Sequence, residues 1–145
     1  MMLSMMFMNF FAYAYKIYGE NSSPHPPISD FSLTVVASIG SGLVNGVTRL
    51  ALGTIVDKVG FKKLFFAIMS IQLVLSLSVY YAAYIESIYF ICIILNFFCQ
   101  GGIFTIFPVA TTNVFGLEVG AQAYVWILGS PIISSFANML ETEFL

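Results

Sequence analysis

The chain has 145 residues, of which 59% are hydrophobic, 17% aromatic and only 8% charged, with a formal net charge of -2. Soluble domains carry roughly a quarter charged residues, so a water-solvated surface is excluded, and five Lys and Arg in total cannot form the basic face of a nucleic-acid reader. With a mean hydropathy of +0.94, the composition defines an integral membrane protein whose solvent is the lipid bilayer.

The first apolar run, 1–18, begins at the first residue and lacks the basic region and small-residue cleavage site of a signal peptide. It reads as a helix entered part-way, and the chain as a fragment of a longer product. A polar loop, 19–30, follows. Its prolines Pro24, Pro26 and Pro27 rule out a continuing helix, and Ser29 or Asp30 can cap the next one. The loop holds His25, read as a solvated residue, and a glycosylation sequon at Asn21.

Four longer spans come next, at about 31–56, 64–85, 88–114 and 121–140, separated by a loop at 57–63 and short turns near Glu86 and at 115–120. These continuous runs are too long for the alternating ten-residue segments of a membrane β-barrel. The fold class is therefore all-α, a polytopic transmembrane bundle of about five helices. Lys58, Lys62 and Lys63 all fall in loop 57–63, which places that loop in the cytoplasm and loops 19–30 and 86 outside. Tyr80, Tyr81, Tyr84 and Tyr89 lie where an outer interfacial aromatic belt would sit. Gly129-Ser130-Pro131 marks a kink in the last span.

The second span carries the chemistry. At about 100° per residue, Thr34, Ser38, Ser41, Gly42, Asn45 and Arg49 share one arc, while Leu33, Val36, Leu43, Val47 and Leu50 lie outside it. Arginine at a helix centre costs about 2.5–3.5 kcal/mol on insertion scales. Snorkelling towards the cytoplasmic interface would relieve Arg49 alone. A cavity or neighbouring helices would account for Arg49 and for the deeper Asn45, Ser41 and Ser38 together. Gly42-x-x-x-Gly46 is a helix-packing pattern, and Gly101-Gly102 can likewise admit a close neighbour. Cys92 and Cys99 are about 10 Å apart along one helix, too far for a disulfide. No catalytic, metal or cofactor pattern is present in any span, so an enzyme is not expected.

The stretch "GTIVDKVGFKK", Gly53 to Lys63, resembles the signature loop of the major facilitator superfamily. Gly53 would permit close helix approach, Asp57 could meet a neighbouring helix N-terminus, Gly60 would make the turn, and Lys58, Lys62 and Lys63 would hold the loop inside. "NGVTRLALG" and "GGIFTIFPVATTNVFG" are similar to helices 8 and 10 of the oxalate/formate antiporter and monocarboxylate transporter branch. The resemblance implies a partial major-facilitator fold, helices 7 to 11, and transport of a small organic anion by alternating access. It implies a substrate-binding role for Arg49, with Ser38, Ser41 and Asn45 lining the pathway and the signature loop as a gate. Asn45 stands where some members carry a proton-coupling acid, and asparagine cannot titrate. The last span has no Lys or Arg, which favours a monocarboxylate or an uncharged substrate over a dicarboxylate. A missing N-terminal half or a second subunit would complete the pathway. A non-transporting assembly protein and a small homodimeric transporter are the competing readings.

Overall fold

In lipid every backbone polar group must find its partner within the protein, and the described residues answer with helices. The computed structural model describes residues 2–20 and 27–143. They form α1 (Met2–Glu20), α2 (Asp30–Ser38), a π turn (Ile39–Val44), α3 (Asn45–Val59), α4 (Phe61–Ala82) and α5 (Glu86–Glu143). Among the described residues, three helical stretches are long and apolar enough to cross a membrane: Asp30–Val59, Phe61–Ala82 and Glu86–Gly129. The protein is an integral, multi-pass membrane protein with an all-helical bundle. The sequon at Asn21, His25 and two of the loop prolines, Pro24 and Pro26, lie outside the described residues.

The α1–α2 corner is fastened by polar contacts. Ser29 caps α2, its Oγ accepting from the Ser32 N–H at 3.2 Å. The Ile28 N–H donates to the Gly19 carbonyl at 2.9 Å. Lys16 forms an ion pair with Asp30, whose carboxylate also accepts from Thr34 Oγ1 at 3.3 Å. Lys16 is therefore neutralised locally, which explains a lysine at an end of the bundle remote from the other three.

Two connections are tighter than the sequence suggests. Residues 57–63 read as a loop because they are charged, yet α3 runs to Val59 and α4 restarts at Phe61. Gly60 alone joins them, at φ 85° and ψ 148°. Similarly, 115–120 is not an open turn. Helical backbone continues through Gly129–Pro131, and the single interruption within α5 is Gly116, at φ 79° and ψ 171°. Both glycines occupy a backbone region that L-residues avoid.

α5 packs against α1, α2, the π turn, α3 and α4, and its arm before Gly116 carries the core. Tyr89, Ile93, Asn96, Cys99, Ile103 and Ile106 on this arm are all buried to within 2% exposure. Tyr89 is thus a core residue rather than part of the aromatic belt. Its hydroxyl donates to the Tyr15 carbonyl at 2.7 Å, and its ring meets Phe11 and Tyr18. Tyr80, Tyr81 and Tyr84 are exposed and stack edge to face. At the Gly60 end, Phe61 and Phe65 clamp Phe107 of α5 with centroids 5.5 and 5.8 Å away.

Close approach comes from Gly40 and, as expected, from Gly101-Gly102, and not from Gly42-x-x-x-Gly46. A Cβ at Gly42 or Gly46 would meet nothing within 4 Å. At Gly40 it would lie 2.6 Å from the Phe97 ring, at Gly101 2.8 Å from the Asn45 carbonyl oxygen, and at Gly102 2.7 Å from Ile68. Cys92 and Cys99 are buried free thiols.

Candidate functional site

The π turn decides which residues of the second span face α5. Buried positions follow α-helical spacing through Leu33, Ala37 and Gly40, skip five residues to Asn45, and resume at Thr48, Leu52 and Val56. The skip matches the i→i+5 bond from the Asn45 N–H to the Gly40 carbonyl. A π turn inserts one extra residue and rotates everything after it, a feature frequent at functional sites. Asn45 is carried into the packing with α5, where Gly101 lets its backbone approach. Arg49, one turn on, is brought to the edge of the same contact.

Arg49 is held on two sides. Its Nε donates to Asn45 Oδ1 at 2.9 Å, and its Cζ lies 5.2 Å from the centroid of the Phe104 ring. The first contact fixes one edge of the guanidinium, and the second backs one face through a cation–π interaction. Guanidinium has five N–H donors in a planar fork, so the Nη edge stays open. Among the described residues no carboxylate pairs with Arg49. The arginine is exposed on the described chain, on the side where no element of this bundle covers it.

Tyr124, on the arm of α5 beyond Gly116, completes the constellation. Its hydroxyl donates at 3.4 Å to the carbonyl of Phe104, the residue whose ring backs Arg49. That carbonyl belongs to the residue four before Pro108, and a proline has no N–H to give it. Pro108 is the one signal in the sequence for this freed carbonyl, and spacing alone does not say that Tyr124 comes to it.

The remaining expected residues divide. Thr34, Ser38 and Ser41 are exposed, on the uncovered outside of α2 and the π turn. Ser38 Oγ donates to the Thr34 carbonyl at 2.7 Å and Ser41 Oγ to the Ser38 carbonyl at 3.4 Å. Neither is hydrogen-bonded to Arg49. Gly53 makes ordinary van der Waals contact with Thr105, 3.5 Å from where its Cβ would be. Asp57, Lys58, Lys62 and Lys63 are exposed around Gly60, and among the described residues Asp57 has neither a hydrogen bond nor an ion pair. The described residues hold no group of His, Cys, Asp and Glu able to bind a metal.

The fold and this site define a multi-pass membrane bundle that presents, at an open face, a positioned arginine with no acidic partner among the described residues. The chain is similar to apicoplast pyruvate carrier 1 of Toxoplasma gondii, with 32% identity over 120 residues. That match covers 80% of this chain but only 21% of the carrier, so the chain spans about a fifth of the length of its relative. No family model matches the chain, and no solved structure does.

Proposed function

We propose that the chain forms part of a secondary transporter of the major facilitator type that carries a small monocarboxylate, with Arg49 as its anion contact. The observation that carries this reading is the state of Arg49: aligned by Asn45, backed by Phe104 and, among the described residues, without an acidic partner. A guanidinium so oriented offers two parallel N–H groups to one carboxylate. One arginine without a second cation suits a single carboxylate. Similarity to a protein named as a pyruvate carrier supports the same substrate class.

The uncovered row of Thr34, Ser38, Ser41 and Arg49 needs an opposite wall, because lipid does not solvate such a stripe. In this reading the wall comes from the rest of a longer protein or from a second subunit. Asp57, Lys58, Lys62 and Lys63 around Gly60 form the cytoplasmic gate, where helix-end charges favour one packing over another.

The test is uptake of labelled pyruvate and other small monocarboxylates by the full-length gene product, with wild type compared against Arg49→Ala and Arg49→Lys. Alanine should abolish saturable uptake, and lysine, a point charge without the fork, should retain a weak remnant. Unchanged uptake in both variants would overturn the assignment.

A further inference from the structure

Pro108 sits inside a transmembrane helix and takes away the helical hydrogen bond of the Phe104 carbonyl. A freed carbonyl at that depth costs free energy unless another donor reaches it. Thr111 and Thr112 donate to the Pro108 carbonyl at 2.9 and 3.0 Å, but they lie beyond the proline and serve the next turn. Tyr124 reaches back across the Gly116 break to the Phe104 carbonyl. The side chain of that same Phe104 lies against the guanidinium of Arg49.

We propose that Tyr124 is a positioning residue: by closing the gap that Pro108 opens, it fixes the backbone of Phe104 and thereby the ring that backs Arg49. This inference rests on the transport reading for its consequence, though not for the bond itself. Tyr124 acts through Phe104 and touches no substrate. Its effect must therefore depend on both Pro108 and the Phe104 ring.

Two double-variant comparisons in the full-length protein test it. Thermal unfolding in detergent is measured for Tyr124→Phe, Pro108→Ala and the pair. Tyr124→Phe alone should lower the melting temperature by about 2–4 °C. In the Pro108→Ala background, where an N–H returns to the carbonyl, the loss should disappear. An equal loss in both backgrounds overturns the proposal. The second comparison uses uptake. Tyr124→Phe should raise KM about three- to tenfold with little change in kcat, and it should have no further effect once Phe104→Leu has removed the ring. A KM penalty that persists in Phe104→Leu means a direct contact with substrate and also overturns the proposal. This comparison stays decisive if Pro108→Ala does not fold. Should Arg49→Ala leave uptake unchanged while the melting-temperature coupling holds, the transport reading falls and the Tyr124–Phe104 bond stands.

Discussion

Gly101 lies so close to Asn45 that a Cβ on the glycine would sit 2.8 Å from the asparagine carbonyl oxygen. The obstacle is backbone, so it cannot swing aside as a flexible side chain would. This is the place where α5 and the start of α3 are drawn together, one turn from Arg49. Gly101→Ala should force them apart, destabilising the protein by about 1–3 kcal/mol and weakening monocarboxylate uptake together with it. Gly46→Ala provides the contrast, since nothing lies within 4 Å of its Cβ position. Removing a helical glycine there should be neutral or stabilise this chain by up to about 1 kcal/mol. Thermal unfolding of the two variants side by side checks both expectations. Equal effects would mean that the close approach at Gly101 is energetically unimportant.

Asn45 holds Arg49 through a neutral acceptor, and that neutrality leaves the positive charge free for an anion. Asn45→Asp should keep the geometry and cancel the charge. Beside a guanidinium the introduced carboxylate is ionised at neutral pH, so substrate affinity should drop by about tenfold or more. Protonation restores a neutral partner, so uptake by this variant should rise as pH falls. A pH series of KM for wild type and Asn45→Asp checks the sign. An Asn45→Asp variant with wild-type affinity across the series would exclude competition for Arg49.

Much of the bundle was legible in the chain. Long apolar runs, sparse charge and the Ser29 cap follow from local physics that the membrane enforces. The π turn was not legible, because "IGSGLV" gives no signal that one residue will be inserted into the turn. A uniform 100° step put Asn45 on the same arc as Ser38, Ser41 and Arg49. The turn instead rotates Asn45 inward and leaves the serines outside. Glycine spacing misled for a related reason. Gly42-x-x-x-Gly46 has the pattern of a packing face, but contact depends on which side α5 occupies: Gly40 is the glycine of the second span that meets α5, at Phe97, while Gly101 of α5 itself meets Asn45. The contact of Tyr124 with Phe104 depends on the return of α5 past Gly116, a tertiary fact with no local signature.

Gln72 carries a polar group that the transport reading does not use. It is 5% exposed in α4, and neither atom of its amide finds a hydrogen-bond partner among the described residues. Burying an amide without a partner costs about 1–3 kcal/mol. Gln72→Leu, similar in volume and apolar, should raise the stability of the bundle by about 1 kcal/mol and leave KM unchanged. Chemical or thermal unfolding reads the first expectation and uptake the second. A marked loss of transport in a stably folded Gln72→Leu protein would show that the amide has a functional partner.

Gly60 and Gly116 test how far single residues set the path of the chain. Each has a positive φ, with ψ of 148° at Gly60 and 171° at Gly116, a region essentially restricted to glycine. Neither would bring a Cβ within 4 Å of another group. Any penalty from alanine is therefore conformational rather than a clash, about 1–3 kcal/mol at each site. The functional outcomes should nevertheless differ. At Gly60 the strain falls on the turn carrying Asp57, Lys58, Lys62 and Lys63, remote from Arg49, so Gly60→Ala should lower kcat more than it raises KM if that turn gates the pathway. At Gly116 it falls on the break that returns Tyr124 towards Phe104, so Gly116→Ala should raise KM. Steady-state uptake kinetics of the two variants, corrected for folded protein, separate these effects. Identical kinetic signatures would show that the two breaks do not act on distinct parts of the transport cycle.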